Sequence, residues 1–216
     1  MKSYYASSQM LYFQPGDIRV KILDSIKEKY LAYRLRKEIY CNQLQWVPDN
    51  QEEIEVDDYD SHSILLGALD ANEDVVGTVR IIPAQHSMMI EKEFISLIAP
   101  SHRIKKKANT VEISRMCVCQ SMRARKRLNT SHALYQSIYR WSNLHQVRFL
   151  YMVVEQKMLR NLNLTGYPCQ RIGPVLTLRG GVETAAALLD WHDYDRNALT
   201  APPTLPETQS IIASRT

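Results

Sequence analysis

The chain has 216 residues, 45% of them hydrophobic and 23% charged, with a formal net charge of +4 at pH 7. These values are typical of one globular domain that is long enough to bury a core. No apolar run approaches the roughly 20 residues that a membrane helix needs, and residues 1 to 5 are not followed by the apolar core of a signal peptide. We therefore expect a cytoplasmic protein without membrane contact.

The first quarter of the chain predicts one helix followed by a loop. Residues 1 to 16 are polar and aromatic without a period, whereas apolar residues recur at helical spacing from 24 to 43. This helix places Arg36 and Tyr40 one turn apart on a common face and ends near Trp46. Residues 47 to 60 have no period, which predicts a loop that carries Asp57 and Asp60.

The middle of the chain predicts a hairpin and a central strand. Apolar runs at 63–69 and 75–82 flank a polar turn, which is typical of antiparallel strands. A short helix is expected at 89–98. A third apolar run of strand length, Thr110 to Val118, follows it.

The last part predicts alternating helices and strands. A helix is expected to start at an N-cap within residues 129–131 and to bury Leu134, Ile138 and Trp141. The pattern then predicts a strand at 148–155, a helix at 156–164 and strands at 172–178 and 184–189, although the alanine run of the last segment is also compatible with a helix. From residue 192 the composition is typical of a flexible tail.

These elements predict an α/β protein, a three-layer α/β/α sandwich with a mixed sheet. We expect residues 1–191 to form a single domain and residues 192–216 to form a C-terminal tail.

The central strand has an unusual composition, since it carries Glu112, Ser114 and Arg115 within an apolar run. Burying charged groups is costly unless they are paired or used in function. On a regular strand Glu112 and Arg115 point to opposite faces, whereas a bulge near Ser114 lets both line one cleft. The alternative is a structural role, in which Glu112 pairs with Arg115 or with Arg80.

The four cysteines, Cys41, Cys117, Cys119 and Cys169, lack the spacing of a zinc site. We expect reduced, partly buried thiols, no metal and no cofactor.

The order of several short motifs resembles the acyl-homoserine lactone synthases, the LuxI-type autoinducer synthases. The motifs are Arg36 to Tyr40, Leu44 to Trp46, Asp57 to Asp60, Val79-Arg80, Glu93-Phe94 and Glu112 to Arg115. The resemblance implies a GNAT-like acyltransferase fold in which the central strand and its parallel neighbour splay apart. It also implies N-acylation of S-adenosylmethionine by a thioester of acyl carrier protein or coenzyme A, then lactonisation and release of methylthioadenosine.

The resemblance assigns roles to particular residues. The candidate catalytic residues are Glu112, Ser114 and Arg115, with Glu112 as the base because burial raises the pKa of a carboxylate. The candidate S-adenosylmethionine site consists of Arg36, Tyr40, Trp46, Asp57, Asp60 and Arg80. The aspartates suit a cationic substrate, and the aromatic rings suit adenine or the sulfonium. The family has Phe where Tyr40 stands, so the added hydroxyl needs a partner if it is buried.

The acyl chain and the acyl carrier have their own candidate residues. Phe94, Met116, Phe149, Met152 and Met158 lie where the acyl chain is expected, although apolar residues at such spacing more often belong to the core than to a ligand pocket. In the resembling enzymes a Thr at the position of Met152 tends to accompany 3-oxo acyl chains, so the resemblance implies a chain without a 3-oxo group where Met offers no hydroxyl. The basic residues Lys105, Lys106, Lys107, Arg123, Arg125, Lys126 and Arg127 flank the central strand and suit an acidic carrier protein. No nucleic-acid-binding module surrounds them.

Two other functions remain open at this stage. One is an N-acyl amino acid synthase or a related acyltransferase of the same fold, which uses a carrier thioester but another acceptor. The other is a non-catalytic module that binds an acidic partner through its basic residues.

Overall fold

The protein is built on one mixed sheet, with its longer helices packed on the faces. The computed structural model describes residues 18–49 and 51–194, and in addition the backbone of residues 10–13. The strands are β1 (Met10–Phe13), β2 (Arg19–Ile22), β3 (Ile64–Leu69), β4 (Val75–Pro83), β5 (Thr110–Val118), β6 (Phe149–Glu155), β7 (Cys169–Leu178) and β8 (Val182–Asp190). The α-helices are α1 (Ile26–Arg36), α2 (Met89–Lys92), α3 (Ala124–Leu144) and α4 (Gln156–Leu164). The strand order is β1-β2-β3-β4-β5-β6-β8-β7.

The predicted hairpin and the predicted central strand are confirmed. The predicted alternation of helices and strands in the last part of the chain is also confirmed. The hairpin is β3 and β4, which pair antiparallel, and the central strand is β5, which pairs antiparallel with β4 and parallel with β6. The alanine run forms β8, where Ala185 to Ala187 are fully buried between β6 and β7. The predicted α/β architecture with a mixed sheet is therefore confirmed.

The predicted start of α3 is wrong. The helix begins at Ala124, with Arg123 in an extended N-cap conformation and no side chain that caps it. Thr130 lies inside the helix, where its hydroxyl donates a hydrogen bond to the carbonyl of Lys126 at 2.9 Å. Such a bond to the preceding turn satisfies a hydroxyl within a helix, so Thr130 is not a capping residue. The predicted buried face of Leu134, Ile138 and Trp141 is confirmed.

Four smaller differences concern element boundaries. The sequence did not predict β1 and β2, which are only four residues long. The first helix changes at Lys37 into a π-helix that ends at Gln43, and Asp58–His62 form a 3₁₀ helix within the predicted loop. The segment expected to be a helix at 89–98 consists of α2 and a separate 3₁₀ turn, Ile95–Leu97.

The ordered domain extends beyond the predicted boundary at residue 191. Trp191–Asp193 form a 3₁₀ turn, and the buried ring of Tyr194 stacks on Tyr167 with centroids 5.3 Å apart. Aromatic packing thus holds the first residues of the predicted tail against the domain. Residues 195–216 lie outside the described part of the chain, as do residues 1–9 and 14–17.

A glycine in the edge strand β7 allows close packing against the turn at Ile95–Leu97. A Cβ atom on Gly173 would lie 2.1 Å from the carbonyl oxygen of Leu97 and 2.6 Å from the amide nitrogen of Ala99. Both neighbours are backbone atoms, which cannot move away as the end of a side chain can.

We predict that Gly173→Ala lowers the free energy of unfolding by about 2–3 kcal/mol, because the methyl group separates β7 from this turn. Urea denaturation with a fluorescence readout measures the change. Gln170→Ala, at an exposed position of the same strand, is the control and is expected to change stability by less than about 0.5 kcal/mol. Equal effects of the two variants would contradict the packing argument.

Candidate active site

A bulge in β5 brings the polar residues of the central strand to one cavity. The pairing of β4 with β5 shifts between Thr78, opposite Cys117, and Arg80, opposite Ser114. Arg115 has a φ of 50°, in the left-handed region that residues other than glycine rarely adopt. Because the bulge inserts an extra residue, Glu112, Ser114 and Arg115 all line the same cavity. The bulge expected from the sequence is thus present.

Three arginines and three carboxylates form one buried ionic network beside this bulge. Arg36 binds Asp60 through two hydrogen bonds of 2.7 and 3.0 Å, and it also binds Glu55. Arg80 pairs with Asp57 and, at 3.1 Å, with Asp60. The three residues at its centre, Arg36, Glu55 and Asp60, are almost completely buried.

Arg115 joins the network from the bulge. Its Nε and Nη2 atoms donate to Glu55 at 3.0 and 2.9 Å, and Nη2 also donates to Asp57 at 3.0 Å. Hydrogen bonds from Arg36 keep the pKa of Asp60 below its ordinary value although burial raises it. The described geometry therefore pairs Arg115 with the loop that carries Glu55 and Asp57, and not with Glu112.

Glu55 is the central residue that the sequence analysis missed. It lies in an acidic segment, where a solvated loop is the ordinary interpretation, yet it is 3% exposed and bridges Arg36 to Arg115. The only available signal was its spacing, since Glu55, Asp57 and Asp60 lie within six residues and precede a strand. The two arginines that identify its role are 19 and 60 residues away in the chain.

Asp57 is the most exposed member of the network, although it is not among the residues that line the cavity. Its side chain is 23% exposed, whereas the side chains of Asp60 and Glu55 are each 4% exposed. Asp60 also closes the loop locally, because its carboxylate accepts a hydrogen bond from the amide of Asp57. The two predicted aspartates thus occupy one site, but their exposure differs.

Glu112 lies apart from the network and is nearly solvent-inaccessible. Its Oε1 atom accepts a hydrogen bond of 3.2 Å from the amide of Ile90, while Oε2 has no hydrogen-bond partner among the described residues. Burial raises the pKa of this carboxyl from its ordinary 4.5 to about 7, and the nearby backbone amides and Arg80 oppose this increase. No described residue forms a salt bridge with Glu112 within 4.0 Å, so the alternative of a structural ion pair is not supported.

The two aromatic residues of the predicted site lie next to each other on the cavity wall. The rings of Tyr40 and Trp46 are 6.1 Å apart, and the guanidinium of Arg115 lies 5.6 Å from the centre of the Tyr40 ring. The buried hydroxyl of Tyr40 donates a 2.7 Å hydrogen bond to the carbonyl of Met116 in the bulged strand. This bond supplies the partner that the added hydroxyl requires.

The parallel strands β5 and β6 separate beyond the bulge. They pair only from Thr110, opposite Phe149, to Ile113, opposite Met152. The residues beyond these pairs line an open cavity of about 1080 Å³, and residues of α3, α4 and the β7–β8 hairpin contribute to its walls. The predicted separation of the strands is therefore present.

Four of the five residues predicted to surround an acyl chain line this cavity: Phe94, Met116, Met152 and Met158. The prediction for Phe149 is wrong. Side chains alternate along a strand, so Phe149 and Tyr151 join the hydrophobic cluster on the opposite face of the sheet from Leu150 and Met152.

The two groups of basic residues do not form one surface around the cavity. Lys105 and Lys106 precede β5, where Lys105 lies over the ring of Phe149 and Lys106 binds Glu91. The residues from Arg123 to Arg127 follow β5 and form the start of α3. A nine-residue strand is about 30 Å long, so the groups are far apart, and only Arg127 of these basic residues lines the cavity. Lys157 and Arg179, which were not predicted, also line it.

Two further findings concern metal ions and membranes. The described residues contain no cluster of three or more His, Cys, Asp or Glu side chains suited to a metal ion. None of the described helices is long and apolar enough to cross a membrane. The four cysteines are free thiols, and all but Cys119 are buried.

The mixed sheet, with its two separated parallel strands, has the GNAT-like acyltransferase fold. Residues 22–199 match the family model described as autoinducer synthase. The chain therefore belongs to the autoinducer synthase family.

Curated relatives and solved structures agree with this assignment. A probable acyl-homoserine-lactone synthase of Sinorhizobium fredii is 26% identical over 161 residues, which cover 72% of this chain and 77% of the relative. The acyl-homoserine-lactone synthase of Rhizobium radiobacter is 27% identical over 187 residues, 84% of this chain and 85% of the relative.

Two solved structures show the same fold. The acyl-homoserine lactone synthase LasI superposes with a TM-score of 0.73 at 18% identity, covering 90% of this chain and 96% of LasI. The CoA-dependent acyl-homoserine lactone synthase BjaI, solved with SAM and isopentyl-CoA, superposes with a TM-score of 0.67 at 22% identity, covering 80% of this chain and 79% of BjaI.

We predict that Glu55→Gln lowers the free energy of unfolding by about 3–5 kcal/mol, because it leaves Arg36 and Arg115 buried with one counter-charge fewer. Glu53→Gln is the matched control: Glu53 is exposed, two residues away in the same segment, and binds only the hydroxyl of the exposed Tyr30 among the contacts described. Urea denaturation compares the two. Equal stabilities of the variants would contradict the central role of Glu55.

We predict that Glu112→Gln stabilises the protein more as the pH rises. The folded-state pKa of about 7 lies above the ordinary 4.5, so the unfavourable burial of the charged form is absent below 4.5 and complete above 7. Relative to wild type, the variant should gain on the order of 2–3 kcal/mol between pH 5 and pH 8. Urea denaturation at both pH values tests this, with the exposed Glu183→Gln as control. A gain independent of pH would exclude a raised pKa.

Proposed function

We propose that this protein is an acyl-homoserine-lactone synthase that joins an acyl group to S-adenosylmethionine. The amine of S-adenosylmethionine attacks the acyl thioester and forms an amide. Its carboxylate then displaces the sulfonium within the same molecule, which closes the lactone and releases methylthioadenosine. The observation that carries this proposal is a buried carboxyl group, Glu112, that has no salt bridge among the described residues and lies next to the point where β5 and β6 separate.

Glu112 acts as the general base in this proposal. The attacking nitrogen is an ammonium near neutral pH and must lose a proton before it can act as a nucleophile. A carboxyl group with a pKa of about 7 is well suited to accept that proton at neutral pH. Because the side chain is 1% exposed, the proton reaches it directly from a bound substrate or through an enclosed water molecule.

The ionic network and the aromatic pair hold S-adenosylmethionine. Asp57, the most exposed carboxylate of the network, faces the positive charge of the substrate. The rings of Tyr40 and Trp46 stack on the adenine or the sulfonium, an interaction that contributes about 0.5–2 kcal/mol. Arg36, Arg80 and Asp60 fix the position of Asp57, and Ser114 accepts a 3.0 Å hydrogen bond from Arg80 that keeps its guanidinium in place.

The gap between β5 and β6 receives the acyl donor. Backbone amides of β5 and β6 beyond Ile113 and Met152 lack partners on the opposite strand of this pair, and they are candidates to stabilise the thioester oxyanion. The acyl chain occupies the apolar part of the cavity, beside Met116, Met152 and Met158. We infer a chain without a 3-oxo group, because Met152 cannot donate a hydrogen bond to it.

Acyl carrier protein is the proposed donor, and the start of α3 is its proposed docking surface. Arg123, Arg125 and Lys126 lie next to the cavity-lining Arg127, and Lys157 and Arg179 add positive charge to the cavity wall. Such a surface attracts an acidic carrier protein. The cytoplasm is the proposed location, since it supplies both substrates.

The test is a reaction of the purified protein with S-adenosylmethionine and a panel of acyl carrier protein and acyl-CoA thioesters, followed by mass spectrometry. Formation of an acyl-homoserine lactone together with methylthioadenosine is the expected result. Thioester consumption that requires a free amino acid and leaves S-adenosylmethionine intact would instead identify an N-acyl amino acid synthase. Absence of any turnover would contradict both.

In this assay we expect Glu112→Gln to lower kcat by about 10²- to 10⁴-fold. The wild-type rate should rise as the pH increases through about 7, because the base must be ionised. Glu183→Gln, at an exposed side chain that is not among the cavity-lining residues, serves as the control and should retain the wild-type rate and pH profile. A Glu112→Gln variant with the wild-type rate would remove Glu112 from the mechanism.

A further inference from the structure

Met89 lies between the ionic network and the cavity. It is the first residue of α2, it is 5% exposed, and its side chain lines the cavity. Its Sδ atom accepts a hydrogen bond of 2.9 Å from Nη2 of Arg80 and one of 3.7 Å from Nη1 of Arg115. Two guanidinium groups thus converge on one thioether.

The other nitrogens of these two arginines bind oxygen atoms. In Arg80, Nε donates to Ser114 and Nη1 to Asp57. In Arg115, Nε and Nη2 donate to Glu55, and Nη2 also donates to Asp57. Each arginine therefore directs its one remaining nitrogen at the sulfur of Met89. A thioether is a weak acceptor, so two charged donors are held at a poor partner.

Met89 also separates Arg80 from the cavity. Arg80 is completely buried and is not among the cavity-lining residues of the described chain, whereas Met89 and Arg115 are. An anionic group that replaces the sulfur would receive hydrogen bonds from both guanidinium groups. The three arginines and three carboxylates already balance in charge. The gain therefore comes from exchanging a weak acceptor for a charged one, whose hydrogen bonds are about twice as strong as neutral ones.

We propose that Met89 is a positioning residue whose sulfur occupies the place of the α-carboxylate of S-adenosylmethionine, and that the substrate displaces it to bind Arg80 and Arg115. The inference rests on the proposed function, because it requires an amino-acid substrate in this cavity. It identifies the carboxylate, and not the ammonium or the sulfonium, as the group that contacts the arginines.

The position of Met89 links this binding step to the base. The next residue, Ile90, donates its amide hydrogen bond to Glu112, so a movement of Met89 also moves a donor that favours the ionised carboxyl. Carboxylate binding at the arginines and the environment of Glu112 therefore change together.

The experiment compares Met89→Leu and Met89→Gln in the full-length protein by isothermal titration calorimetry. The ligands are S-adenosylmethionine and decarboxylated S-adenosylmethionine, which lacks only the α-carboxylate. Met89→Leu removes the acceptor from the free protein and should strengthen binding of S-adenosylmethionine about fivefold. Met89→Gln provides a stronger competing acceptor and should weaken it about fivefold or more. Binding of the decarboxylated ligand should change less than about twofold in both variants.

Met88→Leu is the matched control, because Met88 is buried in the same hydrophobic cluster as Met89 but is not among the cavity-lining residues of the described chain. It should leave both affinities unchanged. Equal effects of a Met89 variant on the two ligands, or no effect of either variant, would overturn the inference. Failure of the wild-type protein to bind S-adenosylmethionine would instead refute the proposed function.

A measurement on the wild-type sequence observes the side chain of Met89 directly. With ¹³C-methyl-labelled methionine, the methyl resonance of Met89 should shift when S-adenosylmethionine binds and should shift much less with the decarboxylated ligand. Met89→Leu assigns the resonance through its disappearance. Identical shifts with the two ligands would overturn the inference.

Discussion

The buried network of Arg36, Arg80 and Arg115 with Glu55, Asp57 and Asp60 is the interaction on which the site depends. Burial of so many charges is tolerated because each has partners of opposite sign at hydrogen-bond distance. The network joins four parts of the chain, namely the end of α1, the acidic loop, β4 and the bulge of β5. It therefore fixes the shape of the loop, which has little regular structure of its own.

The bulge at Arg115 is the backbone feature that this network requires. A regular strand would direct Arg115 away from the face that carries Glu112 and Ser114. With a φ of 50°, Arg115 instead reaches Glu55 and Asp57. Such a conformation costs on the order of 1–3 kcal/mol in a residue other than glycine, and the ionic contacts of Arg115 offset this cost. The strained residue thus lies within the site, where its geometry has a chemical use.

The surroundings of Glu112 disfavour its charged form, whereas those of Arg115 stabilise charge, although the two residues are only three positions apart in the chain. The arginines are engaged by the acidic loop, so Glu112 has backbone amides but no salt bridge among the described residues, and burial dominates its pKa. Two acidic groups of the site consequently differ in state near neutral pH: Asp60 stays ionised, whereas Glu112 titrates. This separation suits a site that must bind a cation and also accept a proton.

The sequence by itself determined the class of fold and most members of the site. The alternating elements predicted the mixed α/β sheet, the charge within an apolar strand indicated Glu112, and the resemblance of short motifs to a known family indicated Arg36, Asp57 and Arg80. Only the tertiary structure decided how they pair. Glu55 and Met89 have ordinary local contexts, and their roles arise from arginines far away in the chain. Phe149 failed as a pocket residue because strand alternation places it on the other face of the sheet. The start of α3 was misplaced because a threonine inside a helix resembles an N-cap in sequence but bonds to the preceding turn. Local patterns determine which residues are polar, helical or extended, whereas long-range packing determines which charges meet.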